Sequence, residues 1–404
     1  MGNTPNIRFK GFTDDWEQRK LNEYLQVSKV KNKDAAFSKE DVLSVSGDYG
    51  IVNQIEFQGR SFAGVSVAAY GVVETGDVVY TKSPLKSNPY GIIKTNKGKT
   101  GIVSTLYAVY KPLNNVHSEF VQIYFEQDAR MNNYMHSLVN KGAKNDMKVS
   151  DENALKGEVF FPSKDEQIKI SKYFGKIDHL IALHQRKCDE TKKLKKFMLQ
   201  KMFPKKDAKK PEIRFAGFTN DWEQRKLNEV AEFNPKSELP DEFEYVDLES
   251  VVGTEMISHR TETKDSAPSR AQRLAQPGDV FFQTVRPYQK NNYLFSKLDN
   301  NYVFSTGYAQ MRPNIDTAFL MSFLQTDSFV KIVLDNCTGT SYPAINSSDL
   351  SNLEISLPKS FEEQKKVGKT IISIDNLITL HQRKCDELKE FKKYMLQNMF
   401  PQKG

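Results

Sequence analysis

Two stretches of the chain carry mostly apolar side chains at alternating spacings of four and three residues. The first stretch shows them at Ile170, Phe174, Ile177, Ile181, His184, Cys188, Thr191 and Met198. The second shows them at Val367, Ile371, Ile374, Ile378, His381, Cys385, Leu388 and Met395. This spacing is typical of the seam of a coiled coil and predicts two long helices. Lys195 and Lys392 interrupt both seams at the same place, and a Met-Phe-Pro sequence ends each predicted helix because proline cannot continue it.

The chain is a tandem duplication of one frame. Residues 5–23 and 211–229 are identical at 16 of 19 positions, and the stretches that start at Glu166 and Glu363 repeat each other at an offset of 197. Internal repeats of this kind decide the architecture of a chain. They predict opening segments at 1–23 and 211–229, variable domains at 24–161 and 230–357, long helices at 162–204 and 358–404, and a linker at 205–210.

The two variable domains share a pattern although most of their residues differ. Gly-Asp followed by three apolar residues occurs at 76–80 and at 278–282, and a Ser-Thr-x-Tyr-Ala sequence occurs at 104–108 and 305–309. A stretch with helical periodicity follows in each domain, and a short apolar strand closes each of them, at 158–162 and 353–358. The two domains are therefore predicted to share one mixed fold, α+β or α/β.

Composition and charge narrow the class of protein. The 404 residues include three cysteines and six histidines without metal-ligand spacing, so no metal site is predicted. No apolar run approaches the length of a membrane span and the start lacks an apolar signal region, so a cytoplasmic protein is expected. The net charge is +7, but it is uneven: residues 165–206 hold 12 basic and 5 acidic groups, whereas residues 230–361 hold 11 and 17.

Catalytic motifs are incomplete wherever they are suggested. Gly98-Lys99-Thr100 resembles the end of a phosphate-binding loop, but the required first glycine is replaced by Ile93. Asn88-Pro89-Tyr90 lacks one proline of the adenine methylase tetrad and is better explained as a turn. The histidine and cysteine of each seam are four residues apart on an apolar face, which indicates packing. The chain by itself is therefore predicted to be non-catalytic, with no catalytic residues.

The opening I-R-F-x-G-F-x-x-x-W-E-x-x-K-L segment, the closing M-L-Q-x-M-F-P helix and their duplication resemble the specificity (S) subunits of type I restriction-modification systems. The resemblance spans essentially the whole chain. It implies two tandem target-recognition domains separated by two long helices that pack as an antiparallel coiled coil, with a pseudo-twofold internal repeat. Each domain would read one half of a bipartite double-stranded DNA target, and the helices would set the spacing.

The resemblance also implies partners. Two methyltransferase (M) subunits would perform adenine-N6 methylation, and restriction/translocase (R) subunits would perform ATP-dependent restriction. S-adenosylmethionine, ATP and Mg would belong to those partners, with no cofactor in this chain. Two alternatives remain from the residues alone: a coiled-coil scaffold that binds no DNA, or a self-contained DNA methylase or nuclease with an unrecognised site.

Base edges are read by bidentate donors on rigid supports, and phosphates are bound by lysines and flexible loops. These properties predict DNA contacts at Lys82, Lys86, Lys141, Lys144 and Lys148 in the first domain, and at Gln283, Arg286, Gln289, Lys290, Thr340, Ser341 and Tyr342 in the second. The residues predicted to pack the helices are Ile177, Ile181, Cys188, Ile374, Ile378 and Cys385. Trp16 and Trp222 are predicted to pack each domain onto the helices. The exposed helix faces around 186–187 and 383–384 are a possible contact for methyltransferase subunits.

Overall fold

A computed structural model describes residues 4–85, 88–141, 147–205, 207–299, 301–339 and 341–401. The chain forms two compact units with mixed α+β content. Unit 1 contains Met1–Ala182 together with Asp386–Gly404, and unit 2 contains Leu183–Cys385. The two long helices, α4 (Lys164–Lys201) and α9 (Phe361–Asn398), are each divided between the units. Each unit therefore contains the start of one long helix and the end of the other.

Unit 1 is built on a four-stranded antiparallel sheet in the order β2-β9-β6-β7. Its strands are β1 (Glu17–Lys20), β2 (Leu25–Val27), β3 (Leu43–Ser46), β4 (Gly50–Asn53), β5 (Gly71–Val73), β6 (Val78–Thr81), β7 (Ile93–Thr95), β8 (Gly101–Val103), β9 (Tyr107–Pro112), β10 (Asn140–Lys141), β11 (Met147–Lys148) and β12 (Glu158–Phe161). Its shorter helices are α1 (Gln54–Gln58), α2 (Ser118–Tyr124) and α3 (Asp128–His136). Strand β1 of the opening segment pairs with β12, so the strand that precedes α4 is hydrogen-bonded to the opening segment.

Unit 2 repeats this plan with a sheet in the order β14-β23-β20-β21 and with β13 paired to β24. Its strands are β13 (Glu223–Lys226), β14 (Ala231–Phe233), β15 (Glu242–Val246), β16 (Val251–Val252), β17 (Glu255–Met256), β18 (Arg260–Thr263), β19 (Ala271–Leu274), β20 (Val280–Gln283), β21 (Tyr293–Leu294), β22 (Tyr302–Ser305), β23 (Tyr308–Pro313) and β24 (Glu354–Leu357). Its shorter helices are α5 (Leu227–Val230), α6 (Thr317–Leu324), α7 (Asp327–Asp335) and α8 (Ser347–Ser351). A second sheet, β18-β15-β22-β19, pairs β15 with β22 in parallel.

The repeated Gly-Asp motif directly precedes an inner strand of each four-stranded sheet, β6 in unit 1 and β20 in unit 2. Gly76 and Gly278 have φ angles of 91° and 96°, a left-handed conformation that favours glycine. The carboxylate that follows each glycine is buried and accepts a backbone N–H three residues earlier. Asp77 is also paired with Lys111 at 3.0 Å, and Asp279 with a cation at the equivalent position of β23. The motif therefore fixes both the turn and the neighbouring strand.

The two tryptophans lie in the cores of the two units, and their predicted packing is confirmed. Trp16 is 1% exposed and contacts the rings of Phe120 and Phe400 at centroid distances of 5.8 and 5.7 Å. Trp222 contacts Phe203 and a phenylalanine of α6 in the same way. Phe203 and Phe400 come from the two Met-Phe-Pro motifs. The end of each long helix therefore completes the core of the unit in which it lies.

The long helices run antiparallel, as predicted. In unit 2, Nδ1 of His184 lies 3.1 Å from Nδ1 of its counterpart His381, whereas Lys195, further along α4, reaches Asp375, which lies earlier in α9. Each helix ends before its Met-Phe-Pro motif, earlier than the predicted bounds of 204 and 404. The carbonyl of Lys201 instead accepts the backbone N–H of residue 213, and that of residue 398 accepts the N–H of residue 7, both at 2.9 Å.

Among the described residues, no single helix has the length and apolarity that a membrane span needs. One bent pair, α6 with α7, meets that requirement only when the two helices are taken together across a 66° bend.

Candidate nucleic-acid interface

A buried glutamate near the start of each long helix holds the opening segment in place. The guanidinium of Arg8 donates two hydrogen bonds of 2.8 Å to the carboxylate of Glu166. Arg214 does the same to Glu363 at 2.7 and 2.9 Å, and the indole N–H of Trp222 donates to that carboxylate as well. Both glutamates are 1% exposed. A bidentate, charge-assisted contact of this kind fixes direction as well as distance.

The glutamine that follows each glutamate holds the variable domain in place. The side-chain oxygen of Gln167 accepts the backbone N–H of His117 at 2.9 Å, and its amide donates to a backbone carbonyl at the end of β12. Gln364 accepts the backbone N–H of Asp316 at 3.1 Å and donates to the carbonyl of Pro358. Each Glu-Gln pair therefore orients one variable domain on its helix. These contacts are not among those predicted from the sequence, although the repeated Arg of I-R-F and the repeated Glu-Gln are a signal for them.

Two loops of unit 2 meet at the C-terminal end of β20. Arg286 and Lys290 flank a short turn and have φ angles of 53° and 55°, which cost non-glycine residues about 1–3 kcal/mol each in general. The backbone N–H of Arg286 donates to the carbonyl of Pro343 at 2.8 Å, and its guanidinium lies 4.6 Å from the ring centre of Tyr342. Tyr342 and Ser341 are exposed. The structure thus brings a cation, an aromatic ring and a hydroxyl together on one surface.

The remaining predicted residues of this site are placed differently. Gln283 is 3% exposed and donates from its amide to the side-chain oxygen of Gln289 at 2.9 Å. Lys290 donates to the carbonyl of Gln325 and to the carboxylate of Asp327, and this contact lowers the pKa of Asp327. The buried Gln283 thus holds Gln289, an exposed residue of the turn, and Lys290 is turned toward α7. Thr340 lies outside the described residues.

Two segments meet at the equivalent place in unit 1. Lys82 follows β6 and forms an ion pair of 2.9 Å with Asp151, which follows β11. Strands β10 and β11 pair antiparallel, so the backbones of Lys141 and Lys148 lie on neighbouring strands. Lys86 and Lys144 lie outside the described residues. The two units therefore present different residues from the same two positions of the fold, one after the central strand and one before the closing strand.

The seam residues of the helices are mostly buried. Ile177, Cys188, Ile374 and Cys385 are less than 9% exposed, and Ile181 and Ile378 are half-buried. Within unit 2, the thiol of Cys188 lies 3.9 Å from the carbonyl of Ile378. No group of three or more potential metal ligands occurs in the part of the chain that the structure describes.

Ion pairs occupy the seam where lysine interrupts it. Lys195 reaches Asp375 at 2.6 Å in unit 2, and Lys392 reaches Asp178 at 2.7 Å in unit 1. Both lysines are less than a fifth exposed. Lys392 also contacts Glu126 of the variable domain at 2.7 Å. The two lysines and the two aspartates are each 197 positions apart, so the repeat includes both partners.

The family model of the type I restriction modification DNA specificity domain matches residues 219–390. This match contains the second opening segment from its tryptophan region onward, the second variable domain and most of α9. This part of the chain is similar to the specificity domain of that family. Its first half repeats the opening segment and the long helix of the matched half, and it adds a second variable domain on the same frame.

Two curated relatives carry specificity-subunit names. The chain is 23% identical over 424 residues to the putative type I restriction enzyme MjaX specificity subunit of Methanocaldococcus jannaschii, and the alignment covers 95% of this chain and 92% of that protein. It is 26% identical over 256 residues to the MjaVIII specificity subunit of the same organism, with 58% of this chain and 59% of that protein covered. The chain therefore spans little more than half the length of the MjaVIII relative in that alignment.

A solved specificity-family structure has the same fold. The crystal structure of a type I restriction-modification system S subunit from M. genitalium matches 99% of this chain and 100% of that chain, with a TM-score of 0.64 and 14% identity. The agreement covers both halves, including the part outside the family-model match. The specificity fold thus extends over both variable domains and both long helices.

Proposed function

We propose that this chain is the DNA specificity subunit of a type I restriction-modification complex, in which each variable domain reads one half of a bipartite duplex target. The observation that carries the proposal is the duplicated pair of loops on one repeated frame. Unit 2 presents Arg286 with Tyr342, and unit 1 presents Lys82 with Asp151, which follows strand β11. A protein that reads two different half-sites needs the same scaffold twice, with different side chains at the positions that contact DNA. The long helices would set the spacing between the half-sites.

Within the second site, the residues divide by chemistry. Arg286 is the candidate for reading a base, because a guanidinium can donate two parallel hydrogen bonds to guanine. Its left-handed backbone and its ring contact with Tyr342 fix its direction, which base reading requires. Ser341 and Lys290 are candidates for phosphate contacts, which position the protein without reading sequence.

The chain would be non-catalytic and would direct the chemistry of other subunits. Two methyltransferase subunits would hold S-adenosylmethionine, and restriction/translocase subunits would use ATP and Mg. Support for a partner that binds twice comes from exposed apolar side chains on the long helices, 41–54% exposed. They occur at positions 197 apart: Leu180 and Leu377, Leu194 and Phe391, Phe197 and Tyr394. Large exposed apolar side chains grouped on a surface mark contacts with other proteins.

The test is an exchange of one domain. Residues 24–161 are replaced by the equivalent domain of a relative, and methylated adenines in the host genome are sequenced with the original and the hybrid gene. We expect one half of the methylated motif to change while the other half and its modified adenine persist. The reciprocal exchange of residues 230–357 is the matched control and should change the other half only. A motif that changes in both halves, or in neither, would contradict the proposed division of labour.

A further inference from the structure

The second variable domain holds fewer cations than carboxylates. Residues 230–361 hold 11 basic and 17 acidic groups. Several of these cations already form ion pairs with carboxylates of the same domain: Arg260 with Asp247 and Glu262, Lys290 with Asp327, Arg312 with Asp279 and Lys331 with Asp335. Duplex DNA carries a dense line of phosphates whose charge dominates affinity. Cations from elsewhere in unit 2 would therefore help to offset the negative charge of this domain when it binds DNA.

Helix α4 supplies those cations next to the candidate loop. Its residues 183–201, which belong to unit 2, hold seven basic and two acidic groups. A cleft of about 290 Å³ lies between this part of the helix and the domain. It is lined by Lys192, Lys195, Lys196, Leu199, Gln200, Lys290, Gln325 and Asp327. Lys290 of the loop and the lysines of the helix thus share one cleft.

Two of these lysines have the geometry of a phosphate contact. Lys192 and Lys196 are four residues apart, so they lie on the same face of the helix, and both are exposed. Neither ammonium group is in an ion pair within the described ranges of the chain, whereas Lys195 is held by Asp375 and Lys290 by Asp327. Lys196 lines the same cleft as Lys290, and the two positive charges together lower the pKa of Asp327.

We propose that the phosphate backbone of duplex DNA bound at the loops of the second domain continues onto the lysine face of α4, where Lys192 and Lys196 bind phosphates. This inference rests on the proposed function. In this arrangement, the helix supplies much of the DNA affinity that the acidic second domain lacks. The loops of the domain still determine which sequence is bound. Lys290, which is held by Asp327, lies between the two surfaces.

The internal repeat provides a matched control. The residues equivalent to Lys192 and Lys196 are Lys389 and Lys393, 197 positions later. They belong to unit 1, where residue 390 is a glutamate paired with Lys393, whereas the equivalent residue 193 is a lysine. The first domain, residues 24–164, also has 17 basic and 14 acidic groups of its own. The same substitutions in the second copy should therefore affect DNA affinity less.

The experiment measures the affinity of the assembled methyltransferase complex for a mixed-sequence duplex of about 40 base pairs, roughly four helical turns, at a series of salt concentrations. Each lost phosphate contact reduces the slope of log affinity against log salt by about 0.9, so Lys192→Ala with Lys196→Ala should reduce it by about 1.8. The control, Lys389→Ala with Lys393→Ala, should reduce it by less than about 0.9. The methylated motif should stay the same in both variants, and circular dichroism should show unchanged helix content, since alanine favours helices.

Three results would contradict the proposed role of Lys192 and Lys196, and they differ in what they imply for the proposed function. An unchanged slope in the Lys192 and Lys196 variant, with a wild-type complex that binds DNA, overturns this inference and leaves the proposed function standing. An equal loss in the control variant also overturns it, because the effect would then be one of total charge. A wild-type complex that shows no salt-dependent binding to duplex DNA overturns the proposed function and this inference together.

Discussion

The buried ion pair between Lys195 and Asp375 should stabilise the helix pair of unit 2 only as long as both partners are present. The two side chains are 16% and 12% exposed, and their charged atoms are 2.6 Å apart. Burial raises the pKa of Asp375 above 3.8, and Lys195 opposes that rise. Replacing Lys195 with methionine keeps a long side chain in the seam but leaves a buried carboxylate without its cation.

The expected cost is large. Removing one member of a buried ion pair costs about 3–5 kcal/mol, because the remaining charge is desolvated and unpaired. At about 1.4 kcal/mol for each tenfold change, this corresponds to local opening that is roughly two to four orders of magnitude more frequent. Replacing both residues, Lys195→Met with Asp375→Leu, should restore the stability or raise it by up to about 4 kcal/mol.

The assay is hydrogen exchange by mass spectrometry on the full chain, followed in peptides from 183–201 and 361–385. Lys193→Met is the control, because Lys193 is exposed and its loss should change the opening free energy by at most about 0.5 kcal/mol. The reasoning would be refuted if Lys195→Met exchanged no faster than this control, or if the double variant were as unstable as the single one.

The single variant should also respond to pH in a defined direction. A carboxyl group whose pKa is raised in the folded state stabilises that state most when protonated, below about 3.9, and this contribution is lost as pH rises through the folded-state pKa. Without Lys195, the pKa of Asp375 should rise further, so acidification should restore protection in Lys195→Met. A variant that becomes less protected on mild acidification would contradict this sign.

Three further predictions concern other parts of the molecule. Gly368→Ala should destabilise unit 2, because an added Cβ would lie 2.4 Å from a backbone nitrogen of α6. An added Cβ at Gly175 meets nothing within 4 Å, so Gly175→Ala should raise the free energy of unfolding by up to about 1 kcal/mol, measured by thermal denaturation. Burial and the neighbouring His184 lower the pKa of His381 below 6.5, so the stability that this histidine contributes above pH 6.5 should be lost as pH falls. Hydrogen exchange in residues 361–385 should therefore become faster on acidification, and His381→Gln should abolish this pH dependence. Arg286→Ala should relax one base position of the methylated motif at a cost of about 1–3 kcal/mol, read by genome-wide methylation sequencing; an unchanged motif would place Arg286 away from the bases.

Periodicity and repetition made much of the fold predictable from the sequence. The seam spacing predicted both long helices, and the aligned Gly-Asp motifs predicted that the two variable domains share one fold. The partner of Lys195 could not be derived in this way, because the seam shows that a charge is present and not which residue of another helix lies opposite. The same limit applies to Gln283, a residue with suitable chemistry that is buried at the end of β20. The left-handed backbone of Arg286 had no sequence signal either, since glycine would be the usual residue there.

The docking of each variable domain on its helix through Gln167 or Gln364 has a consequence for how such proteins change over time. Each glutamine binds one backbone N–H of the domain, at His117 or Asp316, and a backbone N–H is supplied by every residue type except proline. A foreign domain spliced onto the frame would meet this requirement without any matching substitution on the helix. Recombination can therefore preserve this backbone contact in one step, whereas side-chain contacts such as that of Lys392 with Glu126 must be supplied again by the incoming domain.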